Sequence, residues 1–384
     1  MIFLKVGPLS SFKYSTQNQG GVATVMTSLF DYYITKNLNV HVLSTGKTNN
    51  KNFNTAFVKR FSFYNFLKLF LISFKFIFIL EFKSFLIFNY YSLIFNIVDF
   101  DKYDFIHVHG LQGRIIDVIF YLNSKPIILT IHSYHEFMNK SRYQLRFWNK
   151  HLNKIFDGIS EIIHVSYVDK IKGFSLGFNI PSCSKVVYNP IKYEKKIQTK
   201  KRNSEGIIFA GSLNKRKQIK VLIKSLDFLK SNIRLTICGG GEMKKEIQDI
   251  VSKSEKITFL GYLDNNTLLE EYQKNSLLVV PSLSESFGLV YLEAINSGLS
   301  VIGYNEIIRE FHDLFELDEN QTNILVPYKG SNPQTLSKLI SKSLKFRKSK
   351  SAEPIIEELK IKIKRQFSIN KISNDYIKIY ESVK

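Results

Sequence analysis

Short runs of Ile, Val, Leu and Phe alternate with longer stretches in which apolar residues recur every three or four positions, and this alternation continues from one end of the chain to the other. In the first half the short runs are Ile2 to Val6, Val40 to Leu43, Phe105 to Val108, Ile127 to Ile131 and Ile162 to Val165. In the second half they are Gly206 to Ala210, Arg234 to Cys238, Ile257 to Leu260, Leu277 to Val280 and Ser300 to Gly303. Runs that are apolar throughout belong to strands buried on both faces, and the periodic stretches between them supply crossover helices. The pattern predicts two doubly wound α/β sheets in series. The polar, charge-dense stretch Tyr193 to Glu205 predicts a linker, and the segment from about Ile355 to Lys384 predicts one or two terminal helices. The resulting division is 1–192, linker 193–205, 206–365 and a terminal helix 366–384 packing back toward the first domain.

The stretch Phe61 to Val98 departs from this pattern, being crowded with Phe, Leu, Ile and Tyr. A membrane-spanning helix needs about 20 uninterrupted apolar residues, whereas Lys68, Lys75, Glu81 and Lys83 break this one. Read as one helix, Lys68, Lys75 and Lys83 fall within about 80° of one another and form a basic stripe on an apolar rod, a composition suited to a headgroup boundary. Core helices whose lysines reach out to water would read the same way. Arg142, Arg146, Lys150 and Lys154 form a second basic stripe, opposite Leu145, Trp148, Leu152 and Ile155.

Composition sharpens this picture in two respects. Net charge is +21, spread over both halves, which attracts anionic headgroups, phosphorylated substrates or nucleic acid. Aromatics gather in the one apolar segment instead of interleaving with basic residues, which argues against nucleic-acid recognition. The two cysteines, Cys183 and Cys238, give neither a disulfide framework nor zinc-ligand spacing. A reducing compartment fits, and MIFLKVGPLS reads as a first strand with no signal-peptide pattern, so the expected location is cytoplasmic, peripheral on the inner membrane face.

Candidate chemistry concentrates in VVPSLSESFGLVYLEAINSGLSVIG, residues 279–303. A strand, a turn ending at Glu285 and a helix expected to start near Phe287 would point the amides of Phe287, Gly288 and Leu289 at an anion, with a diphosphate as the natural ligand. Glu293, about 9 Å further along such a helix, would lie beside a ribose, while Glu285 would face a sugar beyond the diphosphate. His132 ends a parallel strand, where ligands of such sheets bind. His107 and His109 alternate on one strand without a third metal ligand. His132 and His135 lack the i, i+4 spacing of a zinc helix. Asp99 and Asp101 read as a solvated turn, and Gly239 to Gly241 as a strand-to-helix turn lining a nucleotide pocket.

The pair Glu285 and Glu293 in ESFGLVYLEA resembles the retaining glycosyltransferases of family 4, which have the GT-B fold of two Rossmann-like doubly wound domains facing a central cleft. The resemblance extends to Gly20 and Gly21 in NQGGVATVMTSL, to IHVHG at 106–110, to LTIH at 129–132, and to Tyr188 and Asn189. In the second half it covers FAGSLNKRKQIKVLIKSL at 209–226, LTICGGGE at 235–242 and ITFLGYL at 257–263. It implies that Lys217 contacts the donor diphosphate, Glu293 the ribose, Glu285 the transferred sugar, Gly21 the phosphates and His132 the sugar near the reacting carbon. Gly20, Gly211, Ser212, Gly239 and Gly241 would complete the donor site.

The family's usual Arg and Gly are replaced by Ser212 and Gln218, which leaves Lys215 or Arg216 to supply a second cation. Pro190 replaces the usual Gly after Asn189. The resemblance further implies a UDP- or GDP-sugar donor, no metal or other cofactor, and a front-face reaction in which the leaving diphosphate helps deprotonate the acceptor. The acceptor expected is a lipid-linked or membrane-proximal glycan of cell-surface polysaccharide, met at an anionic membrane surface. A GT-B nucleotide-sugar epimerase and a nucleic-acid-binding protein are the alternatives.

Overall fold

The computed structural model describes residues 1–7, 21–44, 56–111, 114–191, 206–229 and 233–383. Gly20 and the expected linker 193–205 lie outside the described residues. The chain divides into two compact units, one formed by Met1–Pro190 with Ile369–Lys384 and the other by Ile191–Ser368.

Six parallel strands make the sheet of the first unit: β1 Ile2–Gly7, β2 Asn39–Ser44, β3 Phe105–His109, β4 Ile127–Ile131, β5 Glu161–His164 and β6 Lys185–Val186, in the order β2-β1-β3-β4-β5-β6. The period of two sorts their side chains. Leu4, Val6, Ile106, Val108, Leu129 and Ile131 enter an apolar cluster with Ile116, Ile119, Trp148, Leu152 and Ile155. On the other face, Phe3 stacks on Phe105, and both meet Tyr380 of the terminal helix Ile369–Val383.

The second unit repeats the plan with β7 Gly206–Ala210, β8 Arg234–Cys238, β9 Ile257–Gly261, β10 Leu277–Val279, β11 Ser300–Tyr304 and β12 Leu325–Tyr328, all parallel, in the order β12-β11-β10-β7-β8-β9. Strand order reverses between β7 and β10. In open α/β sheets the crevice beyond the carboxyl ends of the strands at such a reversal is where ligands bind.

The apolar stretch is three helices, Phe63–Ser73, Lys75–Phe78 and Phe82–Asn96, in place of one rod. Leu80 takes a left-handed conformation, φ 59°, between the last two. The break removes the expected stripe of Lys68, Lys75 and Lys83. Lys75 turns inward, its Nζ 3.4 Å from His151 Nδ1 and 5.0 Å from the centre of the Phe76 ring, and burial pushes its ammonium down to about 8. Lys68 and Lys83 stay exposed. One face of these helices, carrying Leu69, Phe76, Phe88 and Phe95, belongs to the core, and the opposite face is exposed. Among the described residues no helix is long and apolar enough to cross a membrane. The helix Arg142–Phe156 sorts as its pattern predicts: Arg142, Arg146, Lys150 and Lys154 are exposed, while Trp148, Leu152 and Ile155 are buried.

Candidate functional site

Two loops meet beyond the carboxyl ends of β7 and β10. The loop after β7 enters a short 3-10 turn, Lys215–Lys217, which Asn214 caps by accepting from the Lys217 amide at 3.2 Å. A backbone bond from Leu283 N to Arg216 O, 2.9 Å, ties this turn to the loop after β10. The result is a carboxylate between two cations. Lys217 Nζ is 2.5 Å from Glu285 Oε1, and Arg216 lies 3.5 Å from Glu285 Oε2 while donating to Ser284 O. Burial pushes the Glu285 carboxyl up, but the charges of Lys217 and Arg216 outweigh it and hold the group below the usual carboxylate range. Lys215 is exposed, so of the two basic neighbours Arg216 is the one that reaches this carboxylate.

The glycines expected here have identifiable jobs. A Cβ on Gly239 would stand 1.8 Å from Gly211 O, and one on Gly241 would stand 2.5 Å from Leu213 O. They let the loops after β7 and β8 lie against each other, joined by Gly211 N to Cys238 O at 3.0 Å and Leu213 N to Gly240 O at 2.8 Å. Gly211 itself is next to the cation: a Cβ there would meet Lys217 Nζ at 3.7 Å. Ser212, at the expected Arg position, is exposed and accepts from Asn214 Nδ2 at 3.1 Å. Gln218 takes φ 51°, a left-handed conformation that glycine, the residue the resemblance leads one to expect, adopts more easily.

The helix begins later than the sequence suggests. It runs Leu289–Asn296 with Gly288 as its N-cap in the left-handed region, φ 77°. The ring of Phe287 is buried against Phe311 and Phe367, so that residue has only its backbone to offer a ligand. Glu293 is then about 6 Å along the helix instead of about 9 Å. Its carboxylate has no hydrogen bond or ion pair among the described residues, and burial pushes it up to about 7. A carboxylate this far desolvated gains most from a ligand that donates hydrogen bonds to it.

In the first unit, His132 lies just beyond β4, nearly buried, with Nε2 3.0 Å from His109 Nδ1. Burial and the charge of Lys5 push His132 down to about 3, so it is neutral at physiological pH. His107 bridges Tyr380 and Thr130, each at 2.8 Å. Lys5, fully buried on β1, carries its Nζ 4.9 Å from the Tyr33 ring, and burial brings its ammonium to about 7. Sequence reasoning passed over Lys5 and the tie of His109 to His132. The signal was one cation inside an otherwise apolar strand; its Nζ has no hydrogen-bond partner among the described residues and lies over the Tyr33 and Tyr376 rings. Gly21 is the first residue of the helix Gly21–Thr35 and is exposed. Glu136 pairs with Arg114, Asp101 lies in an exposed turn, and no group of His, Cys, Asp or Glu suited to a metal occurs among the described residues.

Residues 191–360, nearly the whole second unit, match the family model described as glycosyl transferases group 1. An uncharacterised glycosyltransferase of Methanocaldococcus jannaschii is 25% identical over 74% of this chain and 77% of its own. An O-antigen biosynthesis glycosyltransferase of Escherichia coli is 26% identical over 73% of this chain and 80% of its own. Among solved structures, an Anabaena protein crystallised with UDP-glucose superposes with a TM-score of 0.70 at 15% identity, over the full length of both chains. The second unit thus matches a group 1 glycosyl transferase domain, in a chain that is similar along most of its length to glycosyltransferases and shares their α/β fold.

Proposed function

We propose that this protein is a retaining glycosyltransferase of family 4 type, moving a sugar from a UDP- or GDP-sugar onto a lipid-linked or membrane-proximal glycan during cell-surface polysaccharide assembly. The observation that carries the reading is the grouping of Lys217, Arg216, Glu285 and the helix bearing Glu293 at the strand-order reversal of the second sheet. The nucleotide in the Anabaena neighbour and the O-antigen role of the Escherichia coli relative support the donor class and the setting.

In this reading Lys217 and Arg216 exchange part of their hold on Glu285 for the donor diphosphate, and the amides at the start of the helix Leu289–Asn296 add to it. Glu293 accepts from the ribose hydroxyls. Glu285, released toward the sugar, orients it. The acceptor oxygen bonds to the anomeric carbon on the face from which the diphosphate leaves, and the acceptor proton passes to a departing phosphate oxygen. Negative charge grows on the diphosphate as the bond breaks, so fixed cations aimed there lower the barrier. His132 is the first unit's candidate for sugar contact, with Gly21 a candidate for the phosphates. The protein works in the cytoplasm, against the anionic inner face of the membrane.

The deciding experiment offers a panel of UDP- and GDP-sugars with lipid-linked acceptors, follows release of nucleoside diphosphate, and reads the anomeric configuration of the product by NMR. A product of the donor's configuration, formed equally well in EDTA, is expected. Inversion would refute the retaining assignment, and loss of turnover in EDTA would refute the metal-free one.

A further inference from the structure

More than half of the exposed large apolar side chains among the described residues lie between Phe57 and Ile97. They peak at one tight turn, between the helices Lys75–Phe78 and Phe82–Asn96. Phe78 is 79% exposed, Leu80 91% and Phe82 61%. Leu80 holds φ 59°, a conformation that L side chains rarely adopt.

This turn is built rigidly from beneath. Leu80 N donates to Ile77 O at 3.0 Å and Glu81 N to Phe76 O at 2.8 Å. The Glu81 carboxylate is buried under the tip, where it accepts from Lys140, from Ser84 Oγ at 3.1 Å and from Trp148 Nε1 at 3.5 Å. Gln144 Nε2 donates to Ile79 O at 3.4 Å. The same bonds bring the start of the helix Arg142–Phe156 beside the turn; that helix carries the exposed Arg142, Tyr143 and Arg146, and Lys83 is just past the turn in sequence.

An apolar tip beside a helix that bears cations and a tyrosine matches the layers of a bilayer surface. Apolar side chains enter the acyl boundary, tyrosine sits at headgroup level, and Lys and Arg meet anionic phosphates. A second copy is a poorer match, because the exposed charges Lys83, Arg142 and Arg146 share one sign and would meet their like. We infer that the turn Phe78–Phe82 is a wedge that inserts into the acyl boundary of an anionic bilayer, with Lys83, Arg142 and Arg146 against the headgroups. The inference deepens the membrane-facing part of the proposed function, and its test needs neither donor nor acceptor.

The chain's single tryptophan, Trp148, is buried, so Phe78→Trp adds a reporter indole at the tip. With vesicles of phosphatidylglycerol and phosphatidylcholine its emission should shift to the blue and be quenched by lipids brominated on their acyl chains. Binding once formed should largely survive salt that screens charge. Leu80→Asp should lower vesicle partition by about ten- to a hundredfold, while UDP or GDP affinity by calorimetry stays unchanged. Leu80→Gly, which suits the positive φ, keeps the backbone and separates loss of the side chain from loss of the turn. Unchanged partition for Leu80→Asp together with an unshifted indole would overturn the inference, since the basic face alone would then carry binding. Concentration-dependent dimers without vesicle binding would overturn it in favour of a protein interface. Normal insertion by a protein that binds neither nucleotide would leave the wedge standing and defeat the donor reading.

Discussion

At the residue scale the proposed donor site rests on how two carboxylates are treated. Glu285 is neutralised by Lys217 and Arg216, and Glu293 is left desolvated, with no hydrogen-bond or ion-pair partner among the described residues. The raised value of Glu293 means that the folded, ligand-free protein binds this proton more tightly than the unfolded chain does. The stability it contributes is therefore present below the usual carboxylate range and is lost as pH rises through about 7. Donor hydroxyls are held better by the ionised group, so nucleotide affinity should rise with pH up to about 7 and level off above it. Glu293→Gln should lower affinity by about one to two orders of magnitude, since hydrogen bonds to charged groups are worth about 1.5–3 kcal/mol each, and should abolish that pH dependence. Calorimetry across pH checks both; a pH-independent wild type would remove Glu293 from the ribose. For the cations, Lys217→Ala and Arg216→Ala should each depress turnover, on the order of a hundredfold, and Lys215→Ala should not. An inert Arg216→Ala beside an inactive Lys215→Ala would transfer the second cation to Lys215.

At the scale of elements, the loops after β7 and β8 depend on glycine where backbone meets backbone. Gly239→Ala places a methyl 1.8 Å from Gly211 O at a position with φ 146°, and should destabilise the second unit by about 2–4 kcal/mol. Urea unfolding followed by circular dichroism measures this, and a change below about 0.5 kcal/mol would mean that the loops move apart without cost. The helix Arg142–Phe156 separates its duties by face. Changing Arg142, Arg146, Lys150 and Lys154 to Glu should weaken binding to anionic vesicles at low salt, because each basic residue near such a surface contributes about 1 kcal/mol. Nucleotide affinity and melting temperature should hold, since Trp148, Leu152 and Ile155 carry the packing. A fourfold variant that binds anionic vesicles as well as wild type would show that this face is only solvated.

At the scale of the whole molecule, the residues proposed for the diphosphate and ribose belong to the second unit, Gly21 apart, whereas the apolar helices and the basic helix belong to the first. Saturating UDP or GDP should therefore slow hydrogen exchange in the loops after β7 and β10 and in the helix Leu289–Asn296. At a nucleotide concentration of a hundred times Kd the gain in stability is about 2.7 kcal/mol. Protection confined to the first unit would relocate the donor.

The amino-acid pattern alone determined the alternation of strand and helix and the doubly wound class, because strands buried on both faces are apolar at every position and leave a continuous trace. It missed β6 and β12 for definite reasons. Lys185–Val186 is too short to show a pattern, and Leu325–Tyr328 contains Pro327, which a sheet tolerates on an edge such as the one β12 occupies. The spacing of Glu285 and Glu293 marked both carboxylates, but only the tertiary structure decided their states. The Lys217 and Arg216 contacts with Glu285 join residues far apart in the chain, and the desolvation of Glu293 is a property of its surroundings. Lys75 shows the same division: periodicity projected it outward along one helix, and a left-handed residue five positions later belonged to a break that ended that helix. Burial and charge pairing depend on which segments arrive at one place, and one-dimensional spacing holds that information only within a single unbroken element.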